Sequence, residues 1–320
     1  MSFNAVFLDY ATLDQGDLDF KSLHNHFGHL QLYPETLATQ VLERLKNVEV
    51  AITNKVVLDA KIIQQLPQLK LILVAATGTN NVDLNAAKAQ GIIVCNCQGY
   101  GTHSVAQHTL ALMLALATNL VKYDHAVKQG RWQQSEQFCF LDYPVVELSG
   151  KTLGIIGYGE LGHAVAQLAK AFGMHVILGQ IPHRPAKADH LPLDEFLPQL
   201  DVLSLHCPLT DATRNLIDEA QINLMKPSAF IVNVARGGIV NEQALANALK
   251  TGRIAGAATD VLSVEPPKDG NVLLNADVPN LIITPHSAWG SVQARQRIVD
   301  QLGENVVAFQ QGQMLRQVNP

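Results

Sequence analysis

Leu71-Ile72-Leu73-Val74-Ala75 is apolar at every position. A strand with one face in water alternates apolar and polar residues. A strand that is apolar throughout has both faces covered, which is the condition of a parallel sheet layered between helices. This run is one of a series. Short apolar stretches at Ala5 to Leu8, Val48 to Ile52 and Ile92 to Cys95 alternate with helix-period stretches near residues 35–46, 58–66 and 83–90. From Lys151 the alternation resumes. Strands are predicted at Thr152 to Ile156, His175 to Leu178, Val202 to Leu205, Ala229 to Val234, Gly256 to Asp260 and Leu281 to Ile283. Helices are predicted near 160–172, 193–199, 218–225 and 241–250, with a last one from Val292 to Gln310. Strands alternating with helices imply βαβ units and an α/β fold.

At about 150 residues per domain, 320 residues suggest two domains. Between the two alternating regions lies a long predicted helix, Ser104 to Gln129, with Ser104 and Gln107 spaced as a capping box and Gly130 as a stop. Residues 131–150, aromatic and carrying Pro144 and Gly150, read as a connector. The polar tail Gln310 to Pro320 is expected to be mobile at its end.

Composition narrows the function classes. With 48% apolar and 16% charged residues, the chain can fill two cores and is not a disordered one. Its net charge is -5, and no cluster of Lys and Arg is present to neutralise a nucleic-acid backbone or an anionic membrane surface. The longest apolar stretch, Thr109 to Ala117, is far short of the ~18 residues of a spanning helix. Met1-Ser2-Phe3-Asn4-Ala5 lacks a basic stretch followed by an apolar one, so no signal peptide is expected. Four cysteines, at 95, 97, 139 and 207, are too few for a disulfide framework and read as reduced thiols of a cytoplasmic protein. No metal site is expected.

Gly157-Tyr158-Gly159-Glu160-Leu161-Gly162 is G-x-G-x-x-G, placed directly after the apolar strand Thr152 to Ile156 and before the helical stretch from Leu161 to Phe172. In that context the first glycine makes the tight turn. The second lets a pyrophosphate approach the backbone, and the third lets helix and strand pack closely. The helix N-terminus adds free N–H groups and a partial positive charge. A dinucleotide site also needs a reader of the adenosine ribose, commonly an acid at the end of the second strand. Here that strand ends at Gln180, and His183, Arg184 and Lys187 follow it. Gln180 can bond a ribose hydroxyl, and Arg184 can attract a 2′-phosphate, so NAD and NADP both remain open.

Three further strands end in chemistry-bearing residues. Asn233-Val234-Ala235-Arg236-Gly237-Gly238 closes one, Asp260 to Pro267 with Glu265 closes the next, and Thr284-Pro285-His286-Ser287-Ala288-Trp289-Gly290 closes the last. Ligands of open α/β sheets bind outside the carboxyl ends of strands. There a guanidinium can grip a carboxylate or carbonyl. A histidine, with an ordinary pKa of ~6.5, can donate a proton to a carbonyl under reduction. A carboxylate beside it fixes the ring and favours its charged form.

With these motifs in order, the chain resembles the D-isomer-specific 2-hydroxyacid dehydrogenase family over essentially its whole length. The match runs through Ala76 to Asp83, Gly157 to Gly162, Asp201 to Pro208, Asn233 to Gly238, Asp260 to Pro266 and Thr284 to Trp289. Val74 to Thr79, Gln137 to Pro144 and Glu265 to Asn271 point within it to the bacterial glycerate dehydrogenase branch, also called hydroxypyruvate reductase. The resemblance implies two Rossmann-like, doubly wound parallel-sheet domains with an active-site cleft between them. Residues 1–100 with 291–320 would form the substrate domain, and 101–290 the dinucleotide domain. It implies NAD(P)H-dependent reduction of a small 2-keto acid, hydroxypyruvate to D-glycerate first and glyoxylate second. It also implies a homodimer, with the helix near 104–129 at the interface.

The implied roles fall on named residues. Arg236 holds the substrate carbonyl and carboxylate, and His286 is the general acid/base paired with Glu265. Asp260 holds the nicotinamide carboxamide. Backbone at Ala76, Thr77 and Gly78 receives the substrate carboxylate. His206, Cys207 and Pro208 line the adenosine side. Thr102 lies near the nicotinamide or diphosphate, and Val234 and Ala235 border the cofactor. Two departures stand out: Gln180 in place of an acid, and Gln107 where many relatives carry Glu. Two rival readings are a formate dehydrogenase-like enzyme, against which Glu265 argues, and a dinucleotide-sensing scaffold without turnover.

Overall fold

The computed structural model describes residues 3–185 and 187–320. Met1 and Ser2, the first two residues of the segment read for a targeting sequence, lie outside the described residues. The chain divides into two compact units, Met1–Gly101 with Trp289–Pro320, and Thr102–Ala288.

The first unit is a five-stranded sheet of β1 (Phe3–Phe7), β2 (Phe27–Leu32), β3 (Val50–Thr53), β4 (Leu71–Val74) and β5 (Ile93–Cys95). Its order is β2-β1-β3-β4-β5, and every pair is parallel. This is one of the two common doubly wound orders. The all-apolar β4 shows why it needs no polar face. Leu71 and Leu73 enter one buried cluster, whereas Ile72 and Val74 enter the one on the opposite side. The first cluster is closed by Ile298, Val299, Leu302 and Val306 of the helix Val292–Gln310. At the β1/β3 switch point the buried carboxylate of Asp9 accepts the backbone N–H groups of Asn54, Lys55 and Val56 at 2.8, 2.6 and 3.1 Å.

The tail departs from expectation. Gln317 bridges Cys95 in antiparallel fashion, and Val318 N–H donates to Val94 O at 2.9 Å. The Asn319 side chain accepts from Val94 N–H and donates to Ile92 O. The tail thus pairs the open edge of β5, which an α/β sheet must cover in some way.

The second unit is a seven-stranded sheet of β6 (Thr152–Ile156), β7 (His175–Gly179), β8 (His190–Leu191), β9 (Val202–Leu205), β10 (Phe230–Asn233), β11 (Gly256–Thr259) and β12 (Leu281–Ile283). Its order is β12-β11-β10-β9-β6-β7-β8, again parallel throughout. This is the Rossmann order with one strand added, and its switch point lies between β6 and β9. The helix Thr102–Ala117 packs on the helix Glu160–Ala171 and over β10 and β11.

The long helix predicted from Ser104 to Gln129 is two helices, Thr102–Ala117 and Leu120–Lys128, bent by 61°. Asn119 turns the chain at φ 49°, and its side chain donates to Pro144 O at 2.6 Å. Asparagine tolerates that left-handed conformation, so the helix stops without Gly or Pro. Ser104 is no cap: it lies inside the helix and its hydroxyl donates to Ala288 O. Among the described residues no single helix is long and apolar enough to cross a membrane.

Candidate active site

Gly157 sits at the carboxyl end of β6 with φ +97°, against the end of β9. A Cβ there would lie 2.4 Å from Cys207 N and 2.5 Å from His206 C. One on Gly162 would lie 2.3 Å from Gly157 O, so the third glycine seats the helix on the turn. Gly159 differs: a Cβ there would meet nothing within 4 Å. It is also the N-cap of the helix Glu160–Ala171 and supplies no side-chain cap. The first helical N–H groups therefore face open space at the switch point, where an anion is favoured. This cradle fits a dinucleotide diphosphate. Beside it, Tyr158 packs edge-on to His163, Leu161 is half-buried, and Glu160 Oε1 accepts from Thr102 Oγ1 at 2.5 Å.

On the adenosine side, Gln180 Nε2 donates to the carbonyls of Ile181, Arg184 and Pro185 at 3.1, 3.2 and 3.2 Å. These carbonyls fix the amide orientation, and Oε1 accepts no bond among the described residues. Arg184 is exposed, and its charge pulls down the Cys207 thiol, which burial has pushed up to about 11. His206 continues β9, its N–H bonded to Ile156 O at 2.8 Å, and Pro208 follows exposed. His206 Nε2 lies 2.9 Å from Ser204 Oγ, and Nδ1 is buried without a protein partner.

Burial pushes the His206 ring down to about 4. An unfolded histidine near 6.5 therefore binds a proton that the folded one refuses. This contribution to stability is complete above pH ~6.5 and is lost as pH falls toward 4, by about 3 kcal/mol at most. Urea titrations from pH 7 to 4 should show that slope in the natural chain. A non-titrating His206→Asn should flatten it, and equal slopes would refute the assignment.

β10, β11 and β12 are neighbours, so the loops at their carboxyl ends are neighbours too. After β10, Asn233 closes the turn. Its Oδ1 accepts Ala235 N–H at 3.1 Å and its Nδ2 donates to Arg236 O at 2.9 Å, with Val234 and Ala235 buried. Arg236 is left exposed, its Nη1 bonded to Ala235 O at 2.7 Å. Gly237 holds this turn against the next loop: a Cβ there would lie 2.0 Å from Leu262 C and O. In that loop Glu265 Oε1 accepts Leu262 N–H at 2.8 Å, and Oε2 lies 2.6 Å from His286 Nδ1. A carboxylate can only accept, so Nδ1 carries a proton toward it and Nε2 is the ring atom left for a ligand.

The His286 loop is anchored by Asp260, which is 1% exposed. Its oxygens accept Thr284 Oγ1 at 2.5 Å and the N–H groups of Ser287 and Ala288 at 2.9 Å each. His286 itself adopts φ 53° and donates its N–H to Asp260 O at 2.8 Å. The resemblance implies that Asp260 holds the nicotinamide carboxamide; its carboxylate accepts three bonds from the loop that carries His286 and keeps further lone pairs.

Sequence reasoning missed Glu242. Its carboxylate accepts Ser263 N–H and Oγ at 2.7 Å each and Asn271 Nδ2 at 2.8 Å, which fixes the loop of Glu265. Its only signal was an acid in the first turn of the helix Glu242–Lys250.

In the first unit the loop after β4 turns its carbonyls inward. Cys97 N–H donates to Ala76 O at 3.1 Å and Asn96 Nδ2 to Thr77 O at 2.8 Å. The N–H groups of Ala76, Thr77 and Gly78 have no acceptor among the described residues. Successive free N–H groups of this kind make an anion receiver. Among the described residues no group of His, Cys, Asp and Glu is arranged to hold a metal ion.

The family model described as "D-isomer specific 2-hydroxyacid dehydrogenase, NAD binding domain" matches residues 110–288. A glycerate dehydrogenase of Methylorubrum extorquens is 47% identical over 313 residues, covering 98% of each chain. A hydroxypyruvate reductase of Blautia hydrogenotrophica is 38% identical over 321 residues, covering 98% of this chain and 99% of that one. Among solved structures, the TT0316 protein of Thermus thermophilus superposes with TM-score 0.84 at 32% identity, covering 98% of this chain and 99% of that one.

Proposed function

The chain belongs to the D-isomer specific 2-hydroxyacid dehydrogenase family, and on that premise we propose that it reduces hydroxypyruvate to D-glycerate, with glyoxylate as second substrate. The observation that carries this reading is the 2.6 Å bond between His286 Nδ1 and Glu265, set one loop away from the exposed Arg236. A 2-keto acid needs a proton for the oxygen that becomes hydroxyl and a cation for the charge that gathers there. The two groups supply these in turn.

The glycine turn and the N–H groups of the helix Glu160–Ala171 hold the dinucleotide diphosphate. When bound, the reduced nicotinamide supplies the hydride. Arg236 binds the keto oxygen and stabilises it as charge develops. His286 Nε2 donates the proton, and the bond from Nδ1 to Glu265 keeps the ring aimed. Asp260 acts by seating the loop. Within the first unit, the backbone N–H groups of Ala76, Thr77 and Gly78 form a receiver suited to a carboxylate.

The acceptor Oε1 of Gln180 suits a ribose 2′-hydroxyl, which donates, and repels a phosphate. NADH is therefore the preferred cofactor in this reading, with Arg184 allowing NADPH. All four cysteines are free, which agrees with a cytoplasmic location.

The test is a spectrophotometric panel of hydroxypyruvate, glyoxylate and pyruvate, each with NADH and NADPH, plus formate with NAD. The highest kcat/KM is expected for hydroxypyruvate with NADH, with formate inert. Oxidation of neither reduced cofactor by any 2-keto acid would defeat the reading.

The reading includes a homodimer. Leu120, Phe138 and Leu141 stand 61%, 90% and 81% exposed around the second helix and the connector, with Trp132 and Val145 beside them in sequence. Apolar side chains so clustered on one segment mark an interface, here with a second copy of the chain. Phe138→Asp with Leu141→Asp is expected to sediment as a monomer at concentrations where the natural chain is dimeric. An unchanged sedimentation coefficient would place the contact elsewhere.

A further inference from the structure

We propose that His108 is a positioning residue for proton transfer, acting on His286 through Thr284 and Asp260; the inference rests on the functional reading above. His108 lies in the second turn of the helix Thr102–Ala117, and its side chain is 24% exposed. Its contacts lie one step back from the His286–Glu265 pair. Its Nε2 lies 3.0 Å from Thr284 Oγ1 and 3.7 Å from Asp260 Oδ1.

Proton counting fixes the direction of this chain. The Asp260 carboxylate accepts at both oxygens, from Ser287 and Ala288 N–H. The one hydroxyl proton of Thr284 goes to the same carboxylate at 2.5 Å. Thr284 Oγ1 therefore offers only lone pairs to His108, and Nε2 must carry the proton and donate. His108 is also the only basic side chain within 4.0 Å of Asp260 among the described residues. A carboxylate 1% exposed depends on its donors to stay in place.

The link runs from a rigid element to a strained one. The helix presents the ring, and Thr284 and Asp260 relay its position. The loop they hold keeps His286 at φ 53°, a conformation that a non-glycine residue retains only under constraint. Removing the His108 donor frees the Thr284 hydroxyl to rotate and takes a partner from the Asp260 network. His286 Nε2 then loses its aim, while Arg236 and the glycine cradle keep theirs.

His108→Leu removes the donor, and His108→Gln restores an N–H near the place of Nε2. The leucine variant is expected to lower kcat for hydroxypyruvate about 10- to 100-fold, the scale of a small misplacement, with KM and dinucleotide Kd within about threefold. The glutamine variant should recover to within about threefold of the natural chain. The imidazole resonances of His286 should shift in the leucine variant and keep their natural positions in the glutamine one. If the leucine variant fails to fold, His108→Asn, whose shorter amide cannot reach Thr284, takes its place with the same expectation. Unchanged kcat, or His286 resonances identical in all the proteins, would overturn the proposal. If the natural chain itself turned over no 2-keto acid, the functional reading would fall, and the His286 resonances would still decide the positioning claim.

Discussion

His286→Ala is expected to lower the turnover of hydroxypyruvate by about 10²–10⁴-fold, the range for a lost general acid. That corresponds to about 3–5 kcal/mol of barrier. Dinucleotide binding should survive, because the glycine cradle lies at the β6/β9 switch point and shares no side chain with the His286 loop. Backbone strain complicates alanine at this position, since φ is 53°. His286→Asn controls for it: asparagine tolerates the left-handed region but carries no imidazole. Both variants should lose turnover alike while thermal stability stays near that of the natural chain. Turnover within about threefold of normal in either would remove His286 from the proton-transfer role.

The second large effect is expected at Gly157. An alanine there needs φ +97° and places its methyl carbon 2.4 Å from Cys207 N and 2.5 Å from His206 C. Neither obstacle is a flexible side chain. β6 and β9 are hydrogen-bonded neighbours, with Ile156 opposite Leu205, so the strands cannot part without breaking the sheet at its centre. Strain of about 1–3 kcal/mol and overpacking of similar size together threaten about 2–6 kcal/mol of stability. Whatever is recovered by moving the turn is lost from the diphosphate cradle, on the order of 10²-fold or more in dinucleotide Kd. Gly159→Ala is the contrast. Its φ of -93° is ordinary and its methyl meets no protein atom, so thermal stability should hold while dinucleotide affinity falls. Calorimetric titration with NADH beside thermal melts separates the two. Full dinucleotide affinity in Gly157→Ala would show that the turn is not the cofactor's seat.

Both substitutions fall where local pattern carries information, and this is why they could be placed from sequence. The strand–turn–helix around Gly157 is legible because its periodicity changes within a few residues. The apolar β4 is legible because both of its faces are buried. β2 carries no clear strand pattern, since Gly28, His29 and Gln31 give it an edge strand's mixed exposure. The break at Asn119 was hidden because its partner is Pro144, in another segment. The same holds for the site's supports. Glu242 acts on Ser263, Gly237 on Leu262 and His108 on Thr284, and no local pattern links the members of those pairs. Residues that carry charge to a ligand advertise themselves at strand ends; residues that hold them in place show only when the chain is folded.

The first unit is assembled from both ends of the chain, with the second inserted between them. During synthesis the sheet of β1 to β5 leaves the ribosome early, yet the helix that covers one of its faces and the segment that pairs with β5 arrive last. The second unit is continuous and has all its strands by residue 283, so it can fold while the chain is still growing. The nascent protein therefore carries an uncovered apolar sheet face until residues 292–319 emerge, and chaperone engagement should be greatest before that point and fall once those residues have docked.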